Sequence, residues 1–259
     1  MTASPRTGDA FGEVLRAALA EHRGTAPAPS IGARTPIPVL EIVERDDGFV
    51  RGGPAAWYLA GPDEWWPCEQ KALERMEGRV LDVGAGAGRV TLALQERGAD
   101  VTALDPSPGA VEVARELGVR TQVRATTAQH AGSGERYDTL VLFGNNLGLL
   151  GPRDHAPGFL AELAALARPG ARIVAQGTDP HHTDDPLHLA YQERNRERGE
   201  LPGLLRQRVR HRDVAGEYMR YLMCSAEELA ELAHGTGWDL VDVDEQDPPL
   251  LVATLAFRG

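Results

Sequence analysis

Between Asp9 and His22 the apolar residues Phe11, Val14, Leu15, Ala18 and Leu19 fall on one stripe with polar residues opposite, a spacing that predicts an amphipathic helix. A Pro-, Ala- and Gly-rich stretch, Gly24 to Pro38, reads as an extended linker, and Val39 to Val50 as two short strands around Asp46-Asp47-Gly48. The aromatic cluster Trp57, Tyr58, Trp65 and Trp66 leads into a helix from Pro67 to Met76; Pro67 suits its first position, where no N–H is needed. Most of these rings are expected in the core. From Arg79 the pattern becomes regular. Strands Arg79 to Val83, Asp100 to Asp105, Thr121 to Ala125, Thr139 to Phe143 and Ala171 to Gln176 alternate with helices Arg89 to Arg97, Gly109 to Leu117 and Pro157 to Ala167, as in a parallel sheet covered by helices. Tyr191 to Leu205, rich in Arg and Glu, predicts a helix and turn, and Arg206 to Arg212 alternates as a strand. Ser225-Ala226-Glu227-Glu228 is a capping box opening a helix to His234. Trp238 to Asp244 and Leu250 to Phe257, joined through Asp247-Pro248-Pro249, predict antiparallel neighbours.

Composition narrows the class. A chain of 259 residues, 42% of them hydrophobic, buries one substantial core, so we expect an N-terminal appendage over 1–53 and one catalytic domain over 54–259. The 38 acidic against 27 basic residues leave a formal charge of -11, which opposes the attraction that binding to phosphate backbones requires; nucleic acid is not an expected partner. Cys68 and Cys224 lie far apart without metal-ligand spacing and suit buried or free thiols of a reducing compartment. No run approaches the ~18 apolar residues of a membrane span, so a cytoplasmic location without membrane contact is expected.

The strongest local signal is Val80-Leu81-Asp82-Val83-Gly84-Ala85-Gly86-Ala87-Gly88, an apolar strand running into glycines and then a helix. Such a turn lets backbone N–H groups and a helix N-terminus approach a ligand closely. Asp105 ends the next strand, where a carboxylate can accept hydrogen bonds from both ribose hydroxyls. A dinucleotide fingerprint begun at Gly84 would need glycine at position 89, but Arg89 stands there, and the spacing is GxGxG.

With Asp82 two residues before those glycines, the chain resembles the class I S-adenosylmethionine-dependent methyltransferases, and within them the general bacterial small-molecule methyltransferase-domain type. The resemblance covers about Gly78 to Arg258. It implies an α/β fold: a Rossmann-like, doubly wound, seven-stranded, mostly parallel sheet with an antiparallel last strand, here preceded by a helical and hairpin appendage. It also implies S-adenosylmethionine as cofactor and S-adenosylhomocysteine as product. Asp82 would anchor the methionine ammonium, Gly84, Ala85 and Gly86 would pass beside the cofactor, and Asp105, followed by Pro106, would hold the ribose. Where many relatives carry an adenine-binding acid this chain has Thr126, leaving backbone groups of Thr127 and Ala128, with Gln129 as a side-chain substitute.

Phe143-Gly144-Asn145-Asn146-Leu147-Gly148 follows the fourth strand, at the sheet edge where methyl group and acceptor should meet. Gly144 and Asn145 are therefore cofactor candidates, and Asn146 and Tyr58 acceptor-binding candidates; the alternative is that the two amides only cap the turn. Transfer from a sulfonium needs chiefly alignment, and a hydroxyl or ammonium acceptor also needs a base. His181 or His182, in Asp179-Pro180-His181-His182-Thr183-Asp184-Asp185, is the candidate base, with Asp179 or Asp184 orienting it; the alternative is an exposed loop. The spacing matches no recognised metal site. Arg206, Arg208, Arg210 and Arg212 share a period of two and would either receive an anionic acceptor or form a solvated outer face. A small-molecule acceptor and a monomer or homodimer are expected. Two other readings stay open: a nicotinamide-dependent oxidoreductase, and a noncatalytic S-adenosylmethionine-binding protein.

Overall fold

The computed structural model describes residues 5–25 and 38–259; the linker expected over Gly24 to Pro38 lies mostly outside the described residues. A short strand β1 (Arg6–Thr7) precedes α1 (Ala10–His22), which is followed by the hairpin β2 (Leu40–Arg45) and β3 (Val50–Pro54) and by α2 (Pro67–Ala72). Then β4 (Arg79–Val83), α3 (Arg89–Glu96), β5 (Asp100–Leu104), α4 (Pro108–Glu116), β6 (Gln122–Val123), α5 (Thr127–Ala131), β7 (Tyr137–Leu142), α6 (Ala156–Leu166) and β8 (Ala167–Thr178) alternate. The chain continues through α7 (Pro186–Glu197), β9 (Leu204–His211), β10 (Val214–Ala215), β11 (Met219–Leu222), α8 (Ala226–Ala233), β12 (Trp238–Asp244) and β13 (Leu250–Phe257). Among the described residues no helix is long and apolar enough to cross a membrane.

The main sheet has seven strands in the order β12-β13-β8-β7-β4-β5-β6, with β13 antiparallel to both neighbours and the remaining pairs parallel. This is the Rossmann-like, doubly wound sheet with an antiparallel last strand. Its strands read as continuous apolar runs because both faces are covered. Residue parity sorts them: Leu81, Val83, Leu140, Leu142, Ile173 and Leu255 pack with Leu160 and Leu163 of α6 and Leu229 of α8. Val80, Val101, Val141, Val174 and Val252 pack on the opposite face with Cys68 of α2 and Val90 and Leu94 of α3. Each such side chain contributes about 1.5–3 kcal/mol by leaving water. Both cysteines are buried and free, and burial pushes each thiol up to about 12.

The N-terminal helix docks through a shared cap. Asp9 accepts from Gly12 N–H (3.0 Å) at the start of α1 and from Gly109 N–H (2.9 Å) and Ser107 Oγ (2.8 Å) at the start of α4. One carboxylate thus occupies two helix N-termini, where negative charge is favoured. The helices touch so closely here that a Cβ on Gly12 or Gly109 would overlap the other's backbone.

A second sheet was only partly foreseen. Its order is β1-β10-β9-β2-β3, with β11 on β9. Alternation divides β2 and β9: Glu41, Val43, Arg45, Leu205, Gln207 and Val209 face the main sheet, while Glu44, Arg208 and Arg210 face away. Several expected boundaries shift. The strand expected over Thr121 to Ala125 shrinks to β6, the one expected over Ala171 to Gln176 lengthens to β8, and the 191–205 helix starts earlier, where Asp185 caps Leu187 N–H and Pro186 opens α7. Arg212 leaves the β9 strand, turning through a positive φ of 52°. The aromatic cluster divides: Trp65 is buried with its Nε1–H on Ala60 O at 2.8 Å and Tyr58 packs partly buried against the core, but Trp57 and Trp66 are 50% and 48% exposed.

Candidate functional site

The site begins where β4 ends. Gly84, Gly86 and Gly88 take positive φ of 71°, 57° and 85°, values that residues with a Cβ avoid. The turn is tied to the next strand by Gly84 N–H and Ala85 N–H on Leu104 O (2.8 and 3.1 Å) and by Gly86 N–H on Asp105 Oδ2 (2.9 Å). The other Asp105 oxygen accepts from Ser107 N–H at 2.8 Å. Asp82 accepts from Thr91 Oγ (2.7 Å) and Thr91 N–H (3.2 Å) on α3. Both carboxyls are buried, and burial, resisted by these donors, raises each to about 6.

The crevice between β4 and β7 is closed by the Gly144–Asn146 turn. Asn146 donates from Nδ2 to Val83 O (3.0 Å) and Gly84 O (2.9 Å), and a Cβ on Gly84 would overlap that amide. Asn145 sits at φ 67°, held by Gln176 Oε1 on its N–H (2.5 Å), Thr178 Oγ on its side chain (3.0 Å) and Tyr221 OH on its carbonyl (2.5 Å). Gly144 opens onto space, with no atom within 4 Å of where a Cβ would stand.

Above this floor lies a cavity of about 900 Å³ roofed by the second sheet. Asp82, Gly84, Ala85, Gly86, Asp105, Pro106, Thr127, Ala128, Gly144 and Asn145 all line it, as do Tyr58, Asn146 and His182. His181 does not: its Nε2 faces Glu228 at 3.7 Å, on α8. His182 is half-exposed, with Nε2 3.5 Å from Asp179. Gln129 is also outside the cavity, because its side chain closes a capping box on Thr126 N–H (2.9 Å) at the start of α5. The arginines of β9 lie on the outer face, where Arg208 and Arg210 pair with Glu44 at 2.7 and 2.6 Å and are not free for an acceptor.

Phe11, Glu41 and Tyr221 are among the cavity residues that escaped the sequence reading. Phe11 reaches the Gly86 turn from α1 and meets Tyr58 edge-on. Glu41 accepts from Tyr58 OH at 2.8 Å, and Tyr221 comes from β11. Glu41-Val43-Arg45 alternation was the available signal for one of them; nothing local marks the pairing of β11 with β9.

Residues 80–170, from β4 into β8, match the family described as Methyltransferase domain. Over that segment the chain is similar to methyltransferase domains. Within it lie the glycine turn, both buried acids and the Asn145-Asn146 turn, whereas the roof lies outside it. A ubiquinone biosynthesis O-methyltransferase of Azorhizobium caulinodans is 38% identical over 79 residues, 28% of this chain and 31% of that protein. An uncharacterised methyltransferase of Mycobacterium bovis is 36% identical over 95 residues, 37% of each chain. The matched segments thus span about a third of these curated relatives. The crystal structure of a Bacteroides fragilis S-adenosylmethionine-dependent methyltransferase in complex with S-adenosylhomocysteine superposes with a TM-score of 0.78 at 24% identity, covering 99% of this chain and 98% of that one. That likeness is one of fold, and it extends over the roof as well as the methyltransferase domain.

Proposed function

We propose that this chain transfers the methyl group of S-adenosylmethionine to a small-molecule acceptor held beneath the second sheet. One observation carries the reading: two buried carboxyls, Asp82 and Asp105, flank a glycine turn on the floor of a cavity that continues into an apolar upper part. Acids raised to about 6 by burial suit a ligand that brings an ammonium and hydroxyl donors to them. The residues fit the cofactor in chemistry. Asp82 would receive its ammonium, Asp105 its ribose hydroxyls, and Thr127 and Ala128 would meet the adenine edge. When bound, the cofactor supplies a methyl group on a sulfonium. The turn at Gly144 leaves room beside β7, Asn146 holds the glycine turn in shape, and the roof excludes water and aligns the acceptor.

The small-molecule acceptor is supported by the enclosed cavity, by the acidic chain and by relatives named for ubiquinone biosynthesis. The described part of the 1–53 appendage contributes much of the acceptor side through α1, β2 and β3. A thermal-shift titration with S-adenosylmethionine, S-adenosylhomocysteine and NAD tests the reading. A ligand at ~100 times its dissociation constant adds about 2.7 kcal/mol. Stabilisation by the first two alone is expected, and stabilisation by NAD alone would replace this reading with the nicotinamide one. Binding without methylated product, across an acceptor panel with labelled methyl donor, would favour a noncatalytic binding protein.

A further inference from the structure

Resting on that reading, we propose that Glu41 is the proton acceptor for methyl transfer and that the acceptor is a neutral, largely apolar small molecule presenting a phenolic hydroxyl. Glu41 projects from the inner face of β2 into the cavity. Its Oε1 accepts from Tyr58 OH at 2.8 Å, and among the described residues no donor meets Oε2. The groups that share its field are Tyr58 on the turn after β3, Arg51 on β3 and Tyr221 on β11. Burial raises the Glu41 carboxyl, while the Tyr58 hydrogen bond and the Arg51 charge lower it. Tyr221, which feels the Glu41 charge, has its hydroxyl committed to Asn145 O, so between the two Glu41 supplies the open acceptor.

The surrounding walls are mainly apolar, with Val43, Leu205, Val209, Met219, Leu149 and Phe159, and Gln207 and Glu162 stand among them. Mainly apolar walls with a free carboxylate oxygen on Glu41 suit a flat, largely apolar molecule that brings a hydrogen-bond donor to it. An ammonium acceptor would meet the opposing charge of Arg51, whereas a neutral hydroxyl does not. Among neutral hydroxyls a phenol, at about 10, is acidic enough to yield its proton to a carboxylate as the new bond forms. The phenol O–H bond breaks and its proton passes to Glu41 Oε2 while the oxygen's electron pair forms the O–CH₃ bond. The C–S bond of the sulfonium donor breaks with its pair left on sulfur as a neutral thioether, and Glu41 later returns the proton to water. His182, half-exposed beside Asp179, lacks this enclosure.

The test uses 4-nitrophenol, whose colour reports whether the bound molecule keeps its proton, titrated over pH against the full chain saturated with S-adenosylhomocysteine. A carboxylate beside the hydroxyl opposes a second negative charge, so the bound phenol should keep its proton to higher pH than in Glu41→Gln, by about one unit or more, tenfold in the phenol-to-phenolate ratio per unit. Glutamine has the shape of glutamate and can still accept from Tyr58, so calorimetry should find S-adenosylhomocysteine affinity within about twofold of the parent. The proposal is overturned by failure of 4-nitrophenol to bind, by the same titration in both proteins, or by a shift that survives Glu41→Gln and disappears in His182→Ala. Failure of S-adenosylhomocysteine to bind the parent protein would overturn the cofactor reading and this proposal together.

Discussion

The floor and the roof of the cavity are built on opposite electrostatic terms. On the floor, carboxyls without a formal ion pair are held by hydroxyl and backbone donors: Asp82 by Thr91, Asp105 by Gly86 and Ser107. At the hairpin tip of the roof, away from Glu41, charges are matched. Asp47 at the hairpin tip accepts from Arg45 (2.8 Å) and Arg194 (2.9 Å), and the Arg45 guanidinium lies between the rings of Phe49 and Tyr191. The Arg45 hydrogen bond leads in holding Asp47 down to about 2, whereas burial pushes Asp82 and Asp105 up to about 6. Unmet charge marks the surface that we propose receives the ligand, and met charge marks the hairpin tip that keeps the fold closed.

That contrast breaks most sharply at Asp82. Replacing it with Asn should weaken S-adenosylhomocysteine binding by roughly 2–4 kcal/mol, about 30- to 1000-fold, because the ligand ammonium loses its partner. Calorimetry at pH 8 measures this. The same change should stabilise the free protein by about 3 kcal/mol, since an acid raised from 3.8 to about 6 costs stability when ionised. The sign follows from proton uptake: between pH 4 and 6 the folded state binds more protons than the unfolded, so stability falls as pH rises. Asp82→Asn should flatten that fall in urea titrations run at several pH values.

Asp47→Ala should act in the other direction, destabilising the protein by about 3 kcal/mol because Arg45, whose side chain is 4% exposed, loses its carboxylate partner and keeps only Leu187 O and His188 as hydrogen-bond partners. With a folded value near 2, Asp47 contributes stability above pH 4 that is lost as pH falls through 2, and the variant should lack that acid-side loss. Intact S-adenosylhomocysteine affinity in the folded variant would separate roof from floor; a large affinity loss would join them. The smallest effect belongs to Arg210→Ala on the outer face. Arg210 is over a third exposed, so denaturation should register less than about 1 kcal/mol.

How much was legible follows the same division. The floor rests on contacts within one motif and its neighbouring strand, so spacing together with the family resemblance could single out Asp82, the glycines and Asp105, which do line one cavity. The roof depends on pairings such as Val43 with Val209 and Tyr221 with Leu205, which no local pattern specifies. A period-two reading did place the β9 arginines on one face, but their partner Glu44 comes from a distant strand. Asn146 was expected at the acceptor, and the structure shows both of its amide bonds bracing the glycine turn. Gln129 illustrates a signal present and passed over: Thr126-x-x-Gln129 is a helix-start signature, and a side chain closing that box is not free to reach adenine.

The pairing of β2 with β9 also sets an order of assembly. During synthesis at ~5–20 residues per second, the hairpin leaves the ribosome on the order of 10 s before β9 can follow it. Through that interval the β4–β8 floor can collapse around its own contacts, while β2 keeps one edge unpaired and Ile42 and Val43 without their β9 neighbours. A nascent chain of this design is therefore vulnerable at its hairpin rather than at its glycine motif, and holdase chaperones would be expected to engage it there.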